Sequence, residues 1–184
     1  MLSVRRMNAA LALGLVMLAS SPAAAGWYVG LGVGPDANVH GTEEVKSGGR
    51  SARLLGGMRF SRLAIEGSIS GQMLHFDDNI FGDFSAKEAA IAAKYSIPLG
   101  SNFEAFGKAG LHRTWLTHEL DATYDAAGNG LLVGAGFEYR IKAAIASGSV
   151  WVDYTHYAAQ LEGDVYQYYG DGVGMWMLGF TVGI

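Results

Sequence analysis

Five histidines and no cysteine bound the reactive chemistry this chain can carry. Without Cys there is no thiolate nucleophile, no disulfide and no Cys-metal scaffold. His40, His75 and His118 fall in or beside polar stretches, and none has a second ligand at metal-binding spacing. His112 shares an alternation face with Thr114, and His156 stands between Thr155 and Tyr157. A hydrolytic site needs a hydroxyl within reach of a His, with an acid to orient it. No His-x-Ser occurs in the chain. The expectation is no catalytic set, no cofactor and no metal.

The remaining charges are more informative. Arg53, Arg59, Lys94, Lys108 and Arg140 share one alternation face with Glu66, Glu88, Glu104, Glu138 and Asp153. Five bases and five acids on a common interior face are expected to form a paired network, since isolated buried charges are costly. Arg50, Lys87 and Arg113 have the opposite parity and lie near polar loops. Cations there suit phosphate groups through charge-assisted hydrogen bonds, and interfacial snorkelling explains them equally well.

The elements that carry these side chains have a period of two. In residues 26–34, Trp27, Val29, Leu31 and Val33 alternate with Tyr28, Gly30, Gly32 and Gly34. At the other end Trp176, Leu178, Phe180, Val182 and Ile184 alternate with Met177, Gly179, Thr181 and Gly183. One apolar face against one small or polar face is a strand pattern. Six further segments, about 50–60, 62–70, 86–96, 103–115, 131–140 and 149–157, bring the total to eight. Their connections alternate: short near Ser61, at 97–102 and at 141–148, long and polar at 35–49, 71–85, 116–130 and 158–173. That rhythm suits an outer-membrane barrel with its short turns in the periplasm. Residues 85–94 favour helix by local propensity, but their place between two strands makes a barrel wall the better assignment.

Composition agrees. Of 184 residues, 50% are hydrophobic and only 16% charged, too apolar and too rich in aromatics for disorder. A formal charge of −4 argues against nucleic-acid binding. Residues 1–25 read as a cleaved signal peptide, with Arg5 and Arg6, an apolar core and Ala23-Ala24-Ala25 before Gly26. Residues 26–184 then form the barrel domain, exported to the outer membrane of a Gram-negative cell. No later stretch is long and apolar enough for a transmembrane helix.

The outward positions are apolar almost throughout, including Leu54, Met58, Leu63, Ile65, Ile69, Ile91, Leu111, Val133, Val150 and Val152. Trp27, Phe60, Tyr95, Trp115, Tyr139 and Trp176 lie where an interfacial girdle would place them. A water-soluble barrel with this assignment would expose those side chains to water and bury Glu66, Lys94 and Asp153. The expected fold is all-β, an eight-stranded antiparallel up-and-down transmembrane β-barrel, monomeric, with a lumen just wide enough for side chains. Most acids fall in the long loops, without EF-hand spacing, and Tyr166, Tyr168 and Tyr169 give the last loop a contact surface.

These residues resemble the transmembrane domain of the OmpA-like outer-membrane β-barrel family. Gly26-Trp-Tyr-Val-Gly-Leu-Gly resembles its first strand, Arg53–Phe60 with Leu63-Ala-Ile-Glu66-Gly its next hairpin, and Ala93-Lys94-Tyr95-Ser96-Ile97-Pro98 its lysine-bearing strand and proline turn. Phe103–Leu111, Gly134–Arg140 and Val152-Asp153-Tyr154 look like the strands that follow. The resemblance spans essentially all of 26–184 and implies that Glu66, Lys94, Lys108, Glu138 and Asp153 belong to a lumenal ion network. Trp151 stands where the family barrel has a lumenal arginine, so the gating pair of that barrel does not transfer. The chain ends in Ile184 instead of Phe, which weakens the expected signal to the barrel-assembly machinery, and the barrel is expected without a peptidoglycan-binding domain. The implied role is structural or surface interaction with outer-membrane lipid and lipopolysaccharide. A small-solute porin and a lipid A-modifying enzyme are the alternatives.

Overall fold

The computed structural model describes residues 26–35, 38–40, 50–74, 84–118, 126–142, 147–163, 167–168 and 172–183. The expected signal peptide, the chain end at Ile184, Tyr166, Tyr169 and nearly all of the loop acids lie outside them.

The described chain is built of strands: β1 (Gly26–Gly34), β2 (Asn38–His40), β3 (Ser51–Phe60), β4 (Leu63–Leu74), β5 (Phe84–Pro98), β6 (Phe103–His118), β7 (Ala126–Lys142), β8 (Ser147–Gly163), β9 (Gln167–Tyr168) and β10 (Gly172–Gly183). Every pairing is antiparallel, and β10 pairs both β8 and β1, which closes the sheet. Two strands are interrupted. β2 continues β1 along β10 with its register slipped by one residue, beyond Pro35, whose missing N–H cannot serve the ladder. β9 likewise continues β10 along β8 with a one-residue slip. The barrel is therefore eight-stranded.

A row of paired residues runs from Val173 through Tyr157, Leu132, Gly110, Ala92, Glu66, Gly57 and Tyr28. It returns to β10 at Gly183, ten residues from its start. Eight strands with such a stagger tilt by roughly 35–45° and leave an interior that side chains fill.

The tight connections share one end. Phe60 pairs with Leu63 across Ser61-Arg62, and Ser61 takes φ 57°, as the first position of a type II′ turn requires. At the same end Leu99 N–H donates to Phe103 O at 2.8 Å, and Arg140 N–H donates to Asn102 O at 2.8 Å.

The strands outrun their expected spans on the opposite side. β4 reaches Leu74, β5 begins at Phe84, β6 reaches His118, β7 begins at Ala126 and β8 reaches Gly163. Apolar alternation marks only the lipid-embedded part of a strand, whereas backbone pairing continues through the Gly, Ala, Ser and Thr beyond it. Residues 85–94, locally helix-favouring, lie wholly within β5. Pairing to β4 and β6 satisfies their backbone from both sides, which outweighs a weak propensity.

The two faces separate cleanly. Val29, Ile69 and Leu131 are 63–64% exposed, and with Leu31, Ile91, Leu111, Phe137 and Phe180 they form an outward apolar band. Lys94 is 4% and Arg53 2% exposed. Leu55, Phe106, Leu132, Trp151, Tyr157, Met175 and Met177 pack together inside. Trp151 packs against β1 and β10, where a Cβ on Gly32 or Gly179 would collide with its ring.

Candidate functional site

Among the described residues, charge concentrates in the lumen. Two of its cross-strand pairs are like-charged: Lys94 opposes Lys108 between β5 and β6, and Glu104 opposes Glu138 between β6 and β7. Like charges directly opposite repel, and each group pairs with an opposite charge from elsewhere in the lumen. Glu138 Oε2 accepts from Lys94 Nζ at 2.8 Å and from Arg59 Nη2 at 3.0 Å. Glu104 Oε2 takes Arg140 Nη2 at 2.7 Å and Arg59 Nη1 at 3.1 Å. Lys94 Nζ also stands 3.9 Å from Glu66 and 4.0 Å from the Phe106 ring centroid. Tyr28 donates its hydroxyl to Glu66 at 3.0 Å. This cluster faces the short-turn end, where it borders a cavity of about 260 Å³ together with Ser149 and Thr181.

Deeper in the lumen a second cluster centres on Asp153. Its Oδ2 accepts from Lys108 Nζ at 2.6 Å and from Arg53 Nη1 at 2.9 Å. Arg53 Nη2 donates to Tyr157 Oη at 3.0 Å and to Thr155 Oγ1 at 3.4 Å, and its guanidinium lies 6.0 Å from the Trp151 ring centroid. Low exposure makes these charge-assisted bonds strong and their loss costly.

Glu88 departs from full pairing. It is 2% exposed and accepts from Ser70 Oγ at 3.0 Å, and it has no ionic partner among the described residues. Its Oε1 and the amide of neighbouring Gln72 are buried without a protein hydrogen bond. Ser70 and Thr114 are its direct neighbours on either side, and Arg53, one strand further in the same row, is committed to Asp153. All ten charged residues singled out thus face the lumen, and nine enter the two ion clusters. The sequence reading missed Tyr28, Ser70, Thr155 and Tyr157, whose lumenal parity was available but whose hydrogen-bond partners depend on the stagger.

Arg50 is exposed just before β3, and Lys87 and Arg113 are exposed on the outer parity of β5 and β6, toward the long-loop end. Lys87 pairs directly with Trp115 across β5 and β6, and the Arg113 guanidinium lies 5.5 Å from the Trp115 ring centroid. The carboxylates whose side chains are described all face the lumen. His112 is lumenal, its Nδ1 3.1 Å from Thr114 Oγ1 and its Nε2 3.3 Å from Ala158 O. His156 lies on the outer parity of β8 opposite Gly174. Among the described residues no group of three or more His, Asp and Glu could hold a metal ion.

Solved structures of similar fold are outer-membrane barrels. The attachment invasion locus protein Ail of Yersinia pestis is 16% identical, with 87% of this chain and 99% of that one covered at a TM-score of 0.55. Neisserial surface protein A is 15% identical, covering 86% and 96% at 0.59. OprG of Pseudomonas aeruginosa is 15% identical, covering 88% and 96% at 0.53. No curated sequence is significantly similar to the chain. At these identities the structures speak for the fold alone. The model of the outer membrane protein beta-barrel domain matches residues 9–182, and the chain belongs to that family of outer-membrane β-barrels.

Proposed function

We propose that this protein is a non-enzymatic, monomeric outer-membrane barrel with a plugged lumen, acting at the cell surface through its loops and outer rim. The observation that carries the reading is the packing across the lumen: Asp153 with Arg53 and Lys108, flanked by Trp151, Tyr157, Met175 and Met177. These side chains fill the interior of a narrow barrel and satisfy most of its charges, which favours a structural role over solute passage. A closed ladder leaves no long strand edge for a partner to extend, which supports a monomer.

Arg50, Lys87 and Arg113 are the cations that meet lipopolysaccharide in this reading. Arg113 beside Trp115, with Lys87 across the strand, suits a phosphate at the membrane surface. Planar-bilayer recording of the purified barrel tests the plug, with only low conductance expected. Sustained high conductance would favour a small-solute pore. Binding of purified lipopolysaccharide is expected to weaken at least tenfold in Lys87→Gln/Arg113→Gln. Hydrolysis of lipopolysaccharide that is lost in His156→Ala would overturn the non-enzymatic reading.

A further inference from the structure

The lipid-facing wall carries an apolar recess of about 570 Å³ where β1, β3 and β4 meet. Gly56 and Gly67 form its floor as direct cross-strand partners, and Trp27, Val29, Phe60 and Ile65 stand around it. Packing within the protein does not call for these two glycines. The nearest atom to a Cβ at Gly56 would be Tyr28 O at 3.7 Å, and at Gly67 it would be 3.9 Å away, both ordinary contacts. A Cβ at lumenal Gly136, by contrast, would overlap the Val152 carbonyl and lie 2.7 Å from the Phe106 ring. Glycine weakens a strand, and inside one it often marks close approach by a ligand or another backbone.

The position of the recess and a cation two residues beyond its Phe60 wall select an occupant. Trp27 and Phe60 border it toward the short-turn end, which faces the periplasm in barrels of this kind. Arg62 follows in the turn, exposed and without an ion-pair partner among the described residues. Hydrocarbon fits the recess, and a phosphate fits the guanidinium. A second copy of the chain docked here about a two-fold axis would bring its own Arg62 toward this one, a repulsive arrangement. We infer that the recess binds one acyl chain of an anionic phospholipid from the periplasmic leaflet, with the lipid phosphate on Arg62. This inference rests on the barrel fold and is independent of the plugged lumen and the lipopolysaccharide rim.

Native mass spectrometry of the folded barrel in detergent provides the test, titrated with phosphatidylglycerol or with phosphatidylcholine of the same chains. One retained phosphatidylglycerol per barrel is expected. Gly56→Val/Gly67→Val, which fills the recess, should reduce that retention at least tenfold, while Arg62→Gln should abolish the preference over phosphatidylcholine. Heat-shifted gel migration checks that the variants fold. If the double variant does not, Val29→Phe narrows the recess from its wall and should have the same effect. Equal retention in wild type and a folded, recess-filled variant would overturn the inference. So would displacement of phosphatidylglycerol by lipopolysaccharide, or a dimer that the filled recess abolishes.

Discussion

Replacing Asp153 by Asn removes one charge and almost no volume from the middle of the lumen. In the wild type this carboxylate holds two cations, Lys108 at 2.6 Å and Arg53 at 2.9 Å, with all three side chains at most 5% exposed. Asn keeps the shape but leaves both cations uncompensated. Two charge-assisted hydrogen bonds of about 1.5–3 kcal/mol each are weakened. Breaking a buried pair by removing one charge costs about 3–5 kcal/mol, a large share of a typical domain's stability. At a denaturant slope of about 2 kcal/mol per molar, the urea midpoint should fall by roughly 2 M. Tryptophan fluorescence of the micelle-folded barrel reads this, with Trp151 placed beside Arg53 as a local reporter. Lys108→Met leaves Asp153 paired with Arg53 and should cost less. In that background Asp153→Asn should cost less than it does alone, because only one cation is then stranded. A single-variant midpoint within about 0.3 M of wild type, or strict additivity in the double variant, would refute the account of this cluster.

Other perturbations test the remaining contacts. Lys94→Ala loses its 2.8 Å bond to Glu138 and its place over Phe106, so it should destabilise more than Glu66→Ala. Unchanged melting and unchanged conductance in both would sink the plug reading. Gly136→Ala should cost about 1–3 kcal/mol by overpacking beside Phe106, whereas Gly67→Ala should be neutral or slightly stabilising, as measured by the same urea unfolding. Ser61→Gly should stabilise the barrel by about 1 kcal/mol, since Ser61 holds a left-handed φ of 57° that glycine adopts freely. A lowered urea midpoint in that variant would contradict the turn assignment.

Much of this fold could be read from residue order because a strand projects its side chains alternately to two sides. Trp27, Val29, Leu31 and Val33 declare the lipid face of β1 without any partner in view. The same alternation assigned ten charged residues to one interior face. What it could not assign was depth. Strand ends past the apolar band, as in β7 and β8, are held by pairing and carry little alternation of hydrophobicity. Residues 85–94 look helical in isolation and become a wall strand because neighbours exist on both sides.

Residue order alone carries the inventory: eight alternating strands, an apolar exterior, and an interior with equal numbers of bases and acids. Which side chain meets which follows from the closed barrel. The ten-residue stagger sets each side chain's height in the lumen. It therefore places Lys94 with Glu138 and leaves Glu88 with a serine hydroxyl in place of a cation. Parity is a property of one strand, but an ion pair across a barrel depends on the register of every strand between its partners.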